Sequence, residues 1–134
     1  GLQRLDRLDV ISQELPIELM LPAPGQGALA VQCRDEAGSL GVLAPLDHQA
    51  TRATTTAERA FLGGLGGGCS VPIAAFAVVE GEALRLQGRV AGLDGSRQID
   101  VEGRAPVIEA AALGKQLAQE ALASGAAQLL AEGK

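Results

Sequence analysis

Apolar residues in the first stretch fall at Leu2, Leu5, Leu8 and Ile11, the near-helical spacing of one buried face. The pattern predicts the tail of a helix already under way, and with it an N-terminal portion upstream. Pro16, Pro22 and Pro24 then remove donors and disfavour helix, which leaves a loop-rich connection with one short strand over Glu18 to Leu21. After Gly25-Gln26-Gly27, the mostly apolar run Ala28 to Cys33 reads as a buried strand with Cys33 packed inside. Asp35 and Glu36 stand where cap and dipole partners would open a short helix over Ala37 to Leu43, stopped at Pro45.

The rhythm changes at Asp47. Asp47 or Thr51 can cap a longer helix to about Leu65, with Ala53, Ala57, Ala60, Phe61 and Leu65 as its apolar face. The run Gly63-Gly64-Leu65-Gly66-Gly67-Gly68 ends it. Three strands follow, over Val71 to Val79, Ala83 to Ala91 and Ser96 to Arg104, joined at Gly81-Glu82 and at Leu93-Asp94-Gly95. In the middle strand Leu84, Leu86 and Val90 alternate with Arg85, Gln87 and Arg89, so one face is buried. Pro106 opens a helix to about Ala123, with Ala110, Leu113, Leu117 and Ala121 on one side; after Gly125, Ala126 to Ala131 adds a last turn or two. The fold class is α+β: a three-stranded antiparallel sheet covered on one face by helices.

Composition narrows the function. Apolar residues make up 47% of the 134 residues, enough for a globular core. A net charge of -5 lacks the basic footprint of a nucleic-acid binder. Phe61 and Phe76 are the only aromatics, so stacking platforms for bases or sugars are missing. No apolar run reaches the roughly 18 residues of a membrane span, and the start has no signal-peptide pattern. Cys33 and Cys69 form no CxxC pair, so neither a metal site nor a disulfide framework is indicated. The expectation is a soluble, cytoplasmic chain with reduced thiols and no membrane or nucleic-acid partner.

Chemistry concentrates in Gly66-Gly67-Gly68-Cys69-Ser70-Val71-Pro72-Ile73. Glycines before Cys69 permit positive φ and close approach, and Pro72 fixes the exit into a strand. One reading is a reactive or derivatised thiol presented on a loop; the other is a glycine-rich helix stop beside a small buried cysteine.

Four segments together carry a resemblance: Leu21-Pro22-Ala23-Pro24-Gly25-Gln26-Gly27-Ala28, then Gln32-Cys33-Arg34, then Thr56-Ala57-Glu58-Arg59-Ala60-Phe61-Leu62, then Gly67-Gly68-Cys69-Ser70-Val71-Pro72-Ile73. In this order the chain resembles, over its whole length, the C-terminal part of the porphobilinogen deaminase (hydroxymethylbilane synthase) family. The resemblance implies that Cys69 holds a dipyrromethane cofactor by a thioether, with Gly68, Ser70, Gln26 and Gly27 around it. It implies a transferase of tetrapyrrole and haem biosynthesis that condenses four porphobilinogen molecules with loss of ammonia, as a monomer. A soft thiolate suits capture of an electrophilic methylene-pyrrole. It also implies domain limits: residues 1–21 as the end of a second domain, 22–46 as hinge and return into a first, both like periplasmic binding proteins, and 47–134 as the cofactor-carrying third domain. The segments that hold the family's catalytic aspartate and most substrate-binding arginines are absent, so no catalytic residue is assigned here. Asp47, Asp94 and Asp100 do not match that motif, and the chain alone is expected to be inactive without its missing N-terminal domains.

Other polar residues have two readings each. Gln26 could bond a pyrrole carboxylate or satisfy a turn. Arg59 and Arg34 could meet the cofactor's acidic groups, although a helical Arg beside Glu58 and Asp47 more commonly makes a structural pair. His48, the only histidine, stands near a helix start as a surface or capping residue rather than an acid or base. Ser70 could donate to the sulfur or cap its loop. Two rival functions remain: a non-enzymatic α+β packing or ligand-binding module with an ordinary Cys69, and a thiol redox sensor, which would need a resolving cysteine that a buried Cys33 does not supply.

Overall fold

The computed structural model describes residues 1–66 and 72–132. Its order is helix α1 (Ala37–Leu43), helix α2 (Gln49–Gly64), strands β1 (Ile73–Glu80), β2 (Ala83–Ala91) and β3 (Gln98–Pro106), and helices α3 (Ala110–Ala121) and α4 (Ala127–Glu132). The strands form one antiparallel sheet in the order β1-β2-β3.

Alternation decides the two faces. Ile73, Ala75, Ala77, Leu84, Leu86, Val90 and Val101 are buried, and α2 and α3 pack over that face. Across the middle, Ala75 pairs with Gly88 and Gly88 with Val101. A Cβ at Gly88 would meet the Phe61 ring, so this glycine is where the largest core side chain sits down on the sheet. The opposite face carries charges in cross-strand pairs: Arg89 with Asp100, Arg85 with Glu102, and Glu80 between Arg85 and Arg104. Arg85 and Arg104 stand directly opposite, and their shared Glu80 offsets that repulsion.

The helices follow the expected stripes. Ala53, Ala57 and Phe61 of α2, and Ala110, Leu113, Leu117 and Ala121 of α3, are buried. His48 caps α2 by accepting the Thr51 N–H at Nδ1, so the cap is neither Asp47 nor Thr51. Pro106 ends β3 instead of opening a helix, and one 3-10 turn over Val107–Glu109 intervenes before α3. β3 starts two residues later than the Ser96 expected, because the Asp94 carboxylate takes the Ser96 N–H and hydroxyl and lengthens the turn. Those bonds also hold the Asp94 pKa below its ordinary value.

Three expectations for the first third are corrected. Leu2–Leu5 and Leu8–Val10 are short 3-10 turns, not one helix. Residues 17–19 form a turn, Met20 and Leu21 have no regular structure, and neither does Ala28 to Cys33, so neither expected strand is present. Cys33 is exposed, as are Leu29 and Val31. An apolar run becomes a buried strand only when another strand takes its main-chain groups and a layer covers it, and no described element does either here. The helix over Ala37–Leu43 does form. Among the described residues, every core residue lies between Ala53 and Leu130.

Candidate functional site

The chain comes back onto the sheet at its first glycine turn. Pro22 brings its carbonyl to the Ala75 N–H at the open edge of β1, at 3.0 Å. The following turn is closed by Gln26 N–H to Ala23 O and Ala28 N–H to Gly25 O. Gly25 and Gly27 have φ of 77° and 83°, a region that side chains beyond glycine rarely enter. Gln26 is thereby held between two left-handed residues. It lines, with Gly27, Thr51, Thr55, Glu58 and Phe76, an open cleft of about 230 Å³.

Glu58 is the residue that sequence reasoning passed over. It is the buried charged side chain among the described residues, 6% exposed. Its Oε2 accepts the Gly25 N–H at 2.7 Å and its Oε1 the Ala77 N–H at 2.8 Å. Burial pushes its pKa up; the two amides, which favour the ionised form, pull the other way without cancelling the shift. The signal was in the spacing: Glu58 lies three residues before Phe61, beside the apolar stripe of its helix.

A second cleft, of about 390 Å³, opens between the Gly25–Ala30 segment and α2. Arg59, Arg52, His48 and Thr51 line it. Arg52 is paired with Asp47, through two contacts of 2.8 Å from Nε, and that pairing raises its pKa. Arg59 is exposed, and the neighbouring Glu58 turns away from it into the core. Arg34 is exposed as well. The three aspartates set aside on sequence are each engaged locally: Asp47 with Arg52, Asp94 with Ser96, Asp100 with Arg89.

Gly68, Cys69 and Ser70 lie outside the described residues, as does Val71, the expected first residue of β1. They connect the end of α2, where the Leu65 N–H donates to Phe61 O, to Pro72, whose carbonyl accepts the Ala91 N–H. Among the described residues, no cluster of His, Cys, Asp or Glu could hold a metal ion, and no helix is long and apolar enough to cross a membrane.

Both the stretch that carries the Gly25–Gly27 turn and the α+β unit it is held to match known families in sequence. Residues 1–40 match the family model described as porphobilinogen deaminase, dipyromethane cofactor binding domain. Residues 52–123 match that described as porphobilinogen deaminase, C-terminal domain. Among curated relatives, porphobilinogen deaminase 1 of Streptomyces avermitilis is 45% identical, across 98% of this chain and 44% of its own length. Porphobilinogen deaminase of Geobacter metallireducens is 46% identical, across 98% and 42%, and that of Thermobifida fusca 43%, across 98% and 44%. The chain thus belongs to the porphobilinogen deaminase family, and it spans less than half the length of these relatives. The model named for the cofactor ends before Cys69, which falls within the C-terminal match.

Proposed function

We propose that this chain is the C-terminal part of a porphobilinogen deaminase, a cytoplasmic transferase that condenses four porphobilinogen molecules into hydroxymethylbilane on a dipyrromethane group carried by Cys69. The observation that carries the reading is a match running through both family segments at 45% identity, with Cys69 falling in the sequence between the residues of α2 and those of β1. The described residues suit such a group: its carboxylates are acceptors, and Arg59, Gln26 and Thr51 offer donors along the two clefts. The bound cofactor supplies the growing end to which pyrrole units are added. Cys69 would anchor it: ammonia leaves a protonated aminomethyl-pyrrole with the electron pair of its C–N bond, and the thiolate adds to the electrophilic methylene carbon left behind, forming the S–C bond. That step needs a reduced thiol, which supports a reducing compartment. Gln26 and Gly27 position a pyrrole carboxylate from the turn, and Gly68 and Ser70 shape the thioether loop.

In the same reading residues 1–21 end a second domain, 22–46 form the hinge and return into a first, both of periplasmic-binding-protein type, and 47–134 form the third. The location of the core from Ala53 onward supports the last boundary. The whole enzyme works as a monomer on porphobilinogen and the growing pyrrole chain, and the 134 residues alone do not polymerise. Intact mass and peptide mapping of the full-length parent test the assignment. A dipyrromethane-sized adduct on Cys69, lost in Cys69→Ser, is expected; a bare Cys69 in an active parent overturns it. An oxidised Cys69 bridged to the exposed Cys33 would favour the redox reading.

A further inference from the structure

We propose that Glu58 is a positioning residue, which locks the Gly25–Gly27 turn against the open edge of β1 and so fixes the place of Gln26. The inference rests on the reading of Gln26 as a ligand-binding residue. On β1, the N–H groups of Ala75 and Ala77 both point away from β2. Pro22 O takes the first and Glu58 Oε1 the second, so the carboxylate continues the pairing where the incoming chain turns off. Its other oxygen then reaches back to Gly25, the first residue of the left-handed pair. Bonds inside the turn set its shape, not its location. Its location depends on Pro22 and Glu58.

The chemistry of the side chain fits this task and little else. Two N–H groups must be accepted at once from segments 33 and 19 residues away in sequence. Glutamine has a single oxygen, and its amide would oppose a donor with a donor. Aspartate is one methylene short. Among the described residues no cation is paired with Glu58, so the two amides alone compensate its buried charge, an arrangement that stability by itself does not favour.

Amide hydrogen exchange on this chain reads the clamp directly. In Glu58→Gln, the Gly25 or the Ala77 amide exchanges about tenfold faster, while Phe61 and Leu86 keep wild-type rates; Glu58→Ala frees both. Unchanged protection at Gly25 and Ala77 overturns the proposal, and so does a uniform acceleration that includes Leu86 in both variants. Kinetics of the full-length parent separate positioning from bulk stability. Glu58→Gln and Gln26→Ala each lower kcat/KM, and the double variant is no worse than Gln26→Ala, because one acts through the other. Losses that multiply, or a Gln26→Ala enzyme at wild-type rate, overturn it. A wild-type parent with no deaminase activity instead fails the functional reading, and leaves the exchange result to decide the clamp.

Discussion

A carboxylate leaving water must find either a cation or enough N–H groups, and Glu58 finds two amides. Burial still outweighs them, so the folded chain binds that proton more tightly than the unfolded chain does. For a group whose folded pKa is raised, the stabilising contribution is full below the ordinary glutamate value of 4.5. It declines as pH rises through the higher folded value, then stays flat. Urea denaturation of wild type and Glu58→Gln, compared from acid to neutral pH, should therefore show wild type losing ground against the variant as pH rises. A difference moving the other way would mean that the amides at Gly25 and Ala77 outweigh desolvation. The same balance explains why Glu58 escaped notice in the sequence. Charge at the border of a helical stripe usually reaches solvent, and here the Gly25 and Ala77 amides, 33 and 19 residues away, turn this one inward.

At the scale of elements, the packing of α2 on α3 turns on small residues. A Cβ at Gly114 would run into the Ala57 carbonyl, the Ala60 methyl and the Phe61 nitrogen, whereas one at Gly63 meets nothing within 4 Å. Helix propensity alone would reward alanine at either place by about 1 kcal/mol. At Gly114 the obstacle is backbone, which cannot rotate aside, so the helices would have to separate over Phe61 and Leu117. Gly114→Ala is expected to destabilise by about 1–3 kcal/mol and Gly63→Ala to stabilise by up to about 1 kcal/mol, both read from chemical denaturation. A stabilised Gly114→Ala would show a looser crossing. The stripes Ala53-Ala57-Phe61 and Ala110-Leu113-Leu117-Ala121 and the Leu93-Asp94-Gly95 turn were legible from periodicity and turn chemistry. Gly114 was not, because a glycine inside a helix shows in sequence only its cost and not the neighbour that needs the space. The runs 18–21 and 28–33 failed for a related reason: a strand is defined by its partner, and the sequence of one segment does not display it. The clustering of Gln26 and Gly27 with α2 was not legible in the sequence: the resemblance grouped them with Cys69, and the fold brings them to Thr51, Thr55 and Glu58.

For the whole molecule, the asymmetry between its two parts decides behaviour. Among the described residues the core draws on 53 to 130, while Leu5, Met20, Leu29, Val31, Val42 and Leu46 stand in solvent. Apart from the clefts it lines, residues 1–34 are tied to the sheet and α2 by hydrogen bonds from Ala75 to Pro22, Gly25 to Glu58, and Arg89 to Leu19. Few bonds and little buried apolar area mean that this segment opens at a fraction of the free energy needed to unfold the core. Exposed aliphatic side chains in such number also favour association over solvation. A protease of broad specificity at low dose should therefore cut between Gln26 and Glu36 while β2 and α3 stay intact, and the elution volume of the chain should fall as its concentration rises. The Glu58 clamp predicts where protection begins: cleavage should stop short of Pro22 to Gly25 in wild type and extend into it in Glu58→Gln. Equal susceptibility of 22–25 in both proteins would show that Pro22 alone holds the turn.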